Sequence, residues 1–138
     1  MEPKLEPVAK DERGESWRVL FPDNREALLI FTKKGFLRGG HSHSNPEISL
    51  ILTGKVRNWK IVDGCTELIN DLSAGNFMIN QPGEPHLTLA LEDYWILDWK
   101  IDAQIGEWTT TDYEPYRKRV RDQLNSKEPA GAEGTKSS

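Results

Sequence analysis

Residues 35–54 read GFLRGGHSHSNPEISLILTG, and this stretch holds two of the three histidines of the chain. His41 and His43 lie two positions apart, so on a β-strand their imidazoles point to the same face of the sheet. The turn at residues 44–46 follows, and Glu47 begins the next apolar run. A turn that folds the chain back brings the Glu47 carboxylate towards the two histidines.

The third histidine, His86, follows turn residues at 82–85 and begins a later apolar run. Together with His41, His43 and Glu47 it makes a set of three imidazoles and one carboxylate. Such a donor set suits a first-row divalent ion. An H-x-H pair alone also occurs in exposed loops, so the wider spacing has to decide between a loop and a metal site.

That wider spacing matches a known pattern. Residues 35–54 resemble the first motif of the cupin superfamily, G-x5-H-x-H-x3-4-E-x6-G, at every defined position. Residues 75–86 are similar to the second cupin motif, G-x5-P-x-G-x2-H, although Gln81 stands at the proline position and Pro82 comes one residue later. The closing G-x2-H of that motif is intact and ends at His86.

The resemblance implies an all-β fold, a cupin jelly-roll β-barrel with about six to eight strands. It also implies one divalent transition-metal ion (Mn, Fe, Ni or Zn) inside the barrel, held by His41, His43, Glu47 and His86. Cupins of this size commonly form homodimers. We therefore expect a homodimer in which the alternating Trp95, Leu97 and Trp99 lie on a buried outer sheet face.

The spacing of apolar runs and turns agrees with such a barrel. Short runs alternate with Gly, Pro, Asn and Asp at residues 16–21, 26–33, 47–53, 56–62, 65–72, 76–80, 85–91 and 94–101. Runs of this length predict an antiparallel sandwich or barrel. A helical pattern occurs only near the C-terminus, where Tyr116, Val120 and Leu124 recur every four residues and predict a short helix near 115–124.

The first and last of these predicted elements set the expected domain organisation. Residues 1–14 are polar and contain two prolines, which predicts a flexible N-terminal arm. Residues 15–124 form the expected cupin barrel with its C-terminal helix. Residues 125–138 are rich in Ser, Gly, Ala, Lys and Glu, a composition that predicts a disordered tail.

Charge and composition exclude some partners. The chain has 138 residues and a formal net charge of −4, which argues against nucleic acid because nucleic-acid-binding domains are usually basic. It contains no run of eighteen apolar residues, so we expect no membrane span. The single Cys65 cannot form an internal disulfide, and we expect a cytoplasmic protein.

Three further residues are candidates for binding a substrate. Arg38 lies three positions before His41 and could reach an anionic substrate at the barrel rim. Strand alternation divides residues 94–101 into two faces, and Tyr94 and Asp98 share one of them. If that face looks inward, both side chains lie in the cavity.

The site leaves three functions open. A metal held by three histidines and one glutamate suits an enzyme acting on a small polar or anionic metabolite, with dioxygenase, lyase or isomerase chemistry. Asp11-Glu-Arg13-Gly14 and the segment from Arg38 to His41 are similar to nucleotide-sugar epimerases and ketoisomerases of the superfamily, which generally work without a metal. A non-enzymatic module that binds a small ligand is the third possibility.

Overall fold

The computed structural model of the protein describes residues 2–126, which form eleven strands and one helix. The expected tail at 125–138 lies outside the described residues from 127 onward. In chain order the elements are β1 (Lys4–Asp11), β2 (Gly14–Leu20), β3 (Glu26–Thr32), β4 (Leu37–His43), β5 (Glu47–Thr53), β6 (Lys55–Val62), β7 (Thr66–Ser73), β8 (Phe77–Asn80), β9 (His86–Ala90), β10 (Tyr94–Lys100), β11 (Thr110–Asp112) and α1 (Glu114–Ser126). Within this part of the chain, no helix is long and apolar enough to cross a membrane.

The strands form two antiparallel sheets, which confirms the all-β jelly roll with one C-terminal helix. The six-stranded sheet has the order β1-β2-β3-β10-β5-β8, and the five-stranded sheet has the order β11-β4-β9-β6-β7. Helix α1 begins one residue before and ends two residues after the predicted range of 115–124.

The predicted flexible arm at 1–14 is wrong for most of its length. Lys4–Asp11 forms β1, which pairs with β2 at the edge of the six-stranded sheet. All eight of its residues are exposed, so the strand carries no apolar alternation that a sequence pattern could detect. Pro7 lies at a register shift in the ladder, where an edge strand tolerates the missing N–H of proline.

Apolar side chains fill two separate regions. The first lies between the sheets and contains Ile51, Val56, Met78, Ala90, Tyr94 and Ile96. The second lies between α1 and the outer face of the five-stranded sheet, and contains Trp59, Leu87, Leu89, Tyr116 and Val120. Helix α1 therefore covers one of the two sheets on its outer side.

The outer face of the six-stranded sheet is also apolar. Because Ile96 and Asp98 line the interior cavity, Leu97 between them points outward. The ladder registers place a row of large apolar residues beside it, across five strands: Trp17, Leu29, Leu97, Leu50 and Phe77. Phe77 is 59% exposed, so this face is only partly covered within one chain.

The turn between β5 and β6 depends on Gly54. Its φ of +86° is in the left-handed region, and an added Cβ would collide with the Asp93 carbonyl oxygen and lie 2.7 Å from the Tyr94 Cβ atom. Gly75 has a similar φ of +90°, but an added Cβ there would meet nothing within 4 Å. The two glycines thus share the same backbone strain and differ in the space around them.

We predict that G75A lowers the free energy of unfolding by about 1–2 kcal/mol, the cost of a left-handed alanine. G54A should cost about 1–3 kcal/mol more, because overpacking adds to that strain. Urea denaturation of both variants checks the difference. Equal losses for the two variants would contradict the packing described around Gly54.

Candidate metal centre

The two sheets each supply part of the site. His41 and His43 lie on β4 and His86 on β9, so all three imidazoles come from the five-stranded sheet. His41 pairs directly with His86 across the ladder, after a register shift at Gly40. Gly39 has a φ of +99°, and a Cβ there would lie 2.7 Å from the His86 carbonyl oxygen. A side chain at position 39 would therefore disturb the pairing that sets the histidines side by side.

The three imidazoles face one another. Their ring centroids lie 4.8 Å apart for His41 and His43, 5.4 Å for His41 and His86, and 5.3 Å for His43 and His86. One ring nitrogen from each lies within 4.8 Å of the others. Two nitrogen ligands of a tetrahedral zinc ion lie about 3.4 Å apart, so the three rings would move closer together to share one ion.

Hydrogen bonds orient two of the rings. The Nδ1 atom of His86 lies 3.0 Å from the backbone oxygen of Glu84, which can only accept, so Nδ1 carries the hydrogen. Nε2, the atom that faces the site, is then the ring nitrogen that would bind a metal. His43 Nδ1 lies 3.1 Å from Thr110 Oγ1 on β11. Partners of this kind fix ring orientation in metal-binding histidines.

Glu47 enters the site from the six-stranded sheet. Its Oε1 lies 3.5 Å from His86 Nε2, and its Oε2 lies 3.6 Å from His43 Nε2. The same carboxylate accepts hydrogen bonds from Lys100 Nζ at 2.6 Å and from Asn80 Nδ2 at 3.2 Å. The register aligns these residues in one row across β10, β5 and β8.

Burial sets the protonation of these groups. It lowers the pKa of His41 to about 4 and that of His43 to about 4, so both rings are neutral at pH 7. Burial also acts to raise the pKa of Glu47, but the contact with His86 and the charge of Lys100 outweigh it, and the pKa lies well below its usual value. Neutral imidazoles beside a carboxylate are the protonation states that metal binding requires.

The donor set therefore fits a divalent ion. Three imidazoles form the cluster, and the structure brings the fourth predicted residue, Glu47, within 3.6 Å of two of them. Imidazole suits zinc, copper, iron and nickel, and carboxylate oxygen adds manganese to the range.

A cavity of about 280 Å³ lies beside the histidines. All seven candidate site residues line it: Arg38, His41, His43, Glu47, His86, Tyr94 and Asp98. The face of β10 that points into the cavity is therefore the one that carries Tyr94 and Asp98. Burial raises the pKa of Tyr94 to about 12, so its phenol keeps its proton at pH 7.

Asp98 is a titratable group on the wall of the cavity. Ser49 Oγ donates a hydrogen bond of 2.6 Å to Asp98 Oδ1. Burial and the nearby charge of Glu47 raise the pKa of Asp98 to about 7. The carboxyl is therefore poised to hold or release a proton near neutral pH.

Two arginines line the same cavity. Arg38 Nε donates to Thr32 Oγ1 at 2.6 Å, and Arg38 Nη2 donates to the Phe31 carbonyl at 3.1 Å, which fixes its guanidinium. Arg13, from the turn between β1 and β2, is the second. Burial and the charge of Arg13 lower the pKa of Arg38, as expected for two like charges in one enclosure.

The sequence pattern assigned no role in the site to Lys100 or Thr110. Thr110 lies on a strand of three exposed residues, which has no detectable pattern. Lys100 shares the inward face of β10 with Asp98, but nothing in the sequence showed that its ammonium meets Glu47. In the sequence, Arg13 was noted only as part of the D-x-R-G segment. Its place in the cavity depends on the pairing of β1 with β2, which was not expected because residues 1–14 were predicted to be a flexible arm.

Comparison with solved structures identifies the architecture. A single-residue variant of oxalate decarboxylase from Bacillus subtilis aligns with 69% of this chain at 20% identity and a TM-score of 0.62. The capsular polysaccharide assembling protein CapF from Staphylococcus aureus aligns with 79% at 20% identity and a TM-score of 0.66. The chain has a cupin fold.

The oxalate decarboxylase from Bacillus subtilis at pH 4.6 aligns with 87% of this chain at 17% identity and a TM-score of 0.67. The chain spans about a third of the length of these proteins, covering 27%, 32% and 34% of their chains. No protein-family model and no curated protein matches its sequence.

We predict a pH-dependent effect of D98N in metal-free protein. The folded carboxyl has a pKa of about 7, above the ordinary 3.8, so the folded wild type binds more protons than the unfolded chain between these values and loses stability as pH rises. Asparagine removes that loss. The stability of D98N relative to wild type should be greater at pH 8 than at pH 5 by about 2–3 kcal/mol.

Urea denaturation with a chelator present measures this difference, and wild-type protein at both pH values is the control. A relative stability that is the same at pH 5 and pH 8 would contradict the raised pKa of Asp98.

Proposed function

We propose that this cupin is a metal-dependent enzyme that acts on a small anionic metabolite bound in the cavity. The observation that carries the proposal is the cluster of three imidazoles and one carboxylate, which lies on the wall of a cavity that also contains two arginines. The first group provides metal ligands. Of the arginines, Arg38 provides positive charge for a substrate, whereas Arg13 is paired with Asp11 at 2.8 Å.

The proposed metal ligands are His41, His43, His86 and Glu47. The oxalate decarboxylase of Bacillus subtilis has Mn(II) centres, which supports a divalent transition metal in a cupin of this shape. A bound ion of this kind supplies Lewis-acid polarisation of a substrate oxygen. The open side of the histidine cluster faces the cavity, where a substrate would reach it.

The remaining cavity residues have separate roles in this proposal. The fixed guanidinium of Arg38 binds the carboxylate or phosphate of the substrate, since arginine pairs with such groups through two parallel hydrogen bonds. Tyr94 donates a hydrogen bond, because its phenol stays protonated. Asp98 holds or accepts a proton, because its pKa of about 7 allows both states at neutral pH.

We predict that H86A lowers the affinity for Mn²⁺ or Zn²⁺ by about 100-fold or more, because the loss of a ligand should exceed the 10- to 100-fold effect of losing a ligand's hydrogen-bond partner. T88A is the matched control: Thr88 lies two residues along the same strand and lines the same cavity. Its affinity should stay within about threefold of wild type. Calorimetric titration of metal-free protein measures both values.

Equal affinities for wild type and H86A would mean that the histidine cluster does not hold the metal.

A second candidate function, that of a metal-free enzyme acting on a nucleotide sugar, would then be favoured. Its specific support is that Arg13 and Arg38, from the two segments similar to such enzymes, line one cavity with His41. Turnover of a sugar nucleotide that persists in excess chelator would establish it.

We also propose that a second copy of the chain covers the apolar outer face of the six-stranded sheet. Helix α1 covers the other sheet, whereas this face presents the row of residues through Leu97 to solvent. A stable interface buries about 800 Å² on each partner, and a face five strands wide is large enough to supply it.

We expect L97D to convert the dimer to a monomer, because it places a charge at the centre of this interface. I69D is the control: Ile69 is 54% exposed, but it lies on β7, at the edge of the other sheet. Light scattering at micromolar concentration measures the mass. A monomeric wild type, or a dimer that survives L97D, would contradict this surface.

A further inference from the structure

Lys100 is buried against the proposed metal ligands. Its side chain is 6% exposed, and its Nζ lies 2.6 Å from Glu47 Oε2. The ammonium also lies 5.3 Å from the centre of the Trp108 ring, within cation–π range. In residues 2–126, Glu47 is the carboxylate that pairs with Lys100.

The same carboxylate oxygen also belongs to the histidine cluster. Glu47 Oε2 lies 3.6 Å from His43 Nε2, on the side where a metal bound by His43 would sit. An ion that takes Glu47 as a ligand through Oε2 therefore meets an oxygen that already accepts a short hydrogen bond from an ammonium group. An ion that binds through Oε1, which faces His86, still shares the carboxylate with that ammonium group.

We propose that Lys100 competes with the metal for Glu47 and holds the metal affinity of the site below what its four ligands would otherwise give. This inference rests on the proposed metal site. A positive charge within a few ångströms of a divalent ion opposes binding by electrostatic repulsion, and the effect is larger inside a protein than in water.

A purely structural role for Lys100 is the less favoured explanation. Replacing both members of a buried ion pair with apolar residues of similar volume often costs no stability, because two charges lose their hydration on burial, so stability alone does not explain why Lys100 and Glu47 are paired here. Asn80 also donates to Glu47, so the carboxylate keeps a partner when the lysine is removed. Beside Trp108, a methionine would fill the same space with apolar atoms.

The competition has a second consequence, for the metal-free protein. There Lys100 compensates the buried charge of Glu47, and its removal leaves that charge with the amide of Asn80 as its strongest donor. The lysine should thus stabilise the metal-free state and weaken the metal-bound state. A substitution at this position should change the two states in opposite directions.

Mn²⁺ affinity of K100M tests this competition. The electron paramagnetic resonance signal of free Mn²⁺ is followed during titration of metal-free protein. We expect K100M to bind Mn²⁺ tighter than wild type by about tenfold or more, which equals about 1.4 kcal/mol. In the absence of metal its melting temperature should fall, and Mn²⁺ should then raise it by more than it raises that of wild type.

Two further variants complete the experiment. K100Q keeps a hydrogen-bond donor and removes the charge, so it should also bind more tightly and serves if K100M does not fold. K60M is the matched control. Lys60 donates to the Ile79 carbonyl at 2.6 Å and lies 3.6 Å from Glu84, so its removal takes away a barrel lysine that has no contact with Glu47. Its affinity should change by less than about threefold.

Weaker or unchanged Mn²⁺ binding by both K100M and K100Q would overturn the inference, as would an equal gain in K60M. If wild type binds Mn²⁺ and H86A does not, such a result leaves the proposed metal site intact. If wild type, K100M and K100Q all bind no metal, both the inference and the proposed function fail.

Discussion

The structure depends on how a buried carboxylate is accommodated inside the barrel. Glu47 is 3% exposed, and a charge in that position needs compensation because its hydration is lost. Lys100 and Asn80 from the two neighbouring strands supply that compensation, and His43 and His86 contact the same carboxylate from the opposite sheet. This one group therefore connects both sheets, and the proposed metal site and the proposed role of Lys100 both involve it directly.

The opposite sheet meets this carboxylate because its backbone is irregular at one point. The register shift at Gly40, next to a glycine that approaches the β9 backbone closely, places His41 beside His86. A shift of one residue in a ladder turns every later side chain to the other face. The two glycines thus set the backbone geometry that brings the histidines together, and the histidines provide the metal-binding nitrogens. On the outside of the molecule, α1 covers one sheet, and the apolar outer face of the other sheet is where we propose that a second copy binds.

The sequence predicts the features of this site that depend on residues close together in the chain or on a known motif spacing, and it misses those that depend on other contacts between distant strands. His41 and His43 share a face on any strand, so their convergence needed only the i, i+2 rule. Glu47 and His86 could be added because the surrounding glycines and turns match a known spacing. Lys100 and Thr110 could not be assigned, because their contacts join strands that are far apart in the chain. β1 was missed because backbone pairing alone forms it, with no buried side chain.

X-ray absorption of the protein loaded with one equivalent of Zn²⁺ tests the central claim most directly, because multiple scattering from imidazole rings counts the histidine ligands. We expect three imidazoles in the first coordination shell, with oxygen completing it. A shell of oxygen ligands with one imidazole or none would show that the ion binds elsewhere, and would contradict the metal centre formed by His41, His43 and His86.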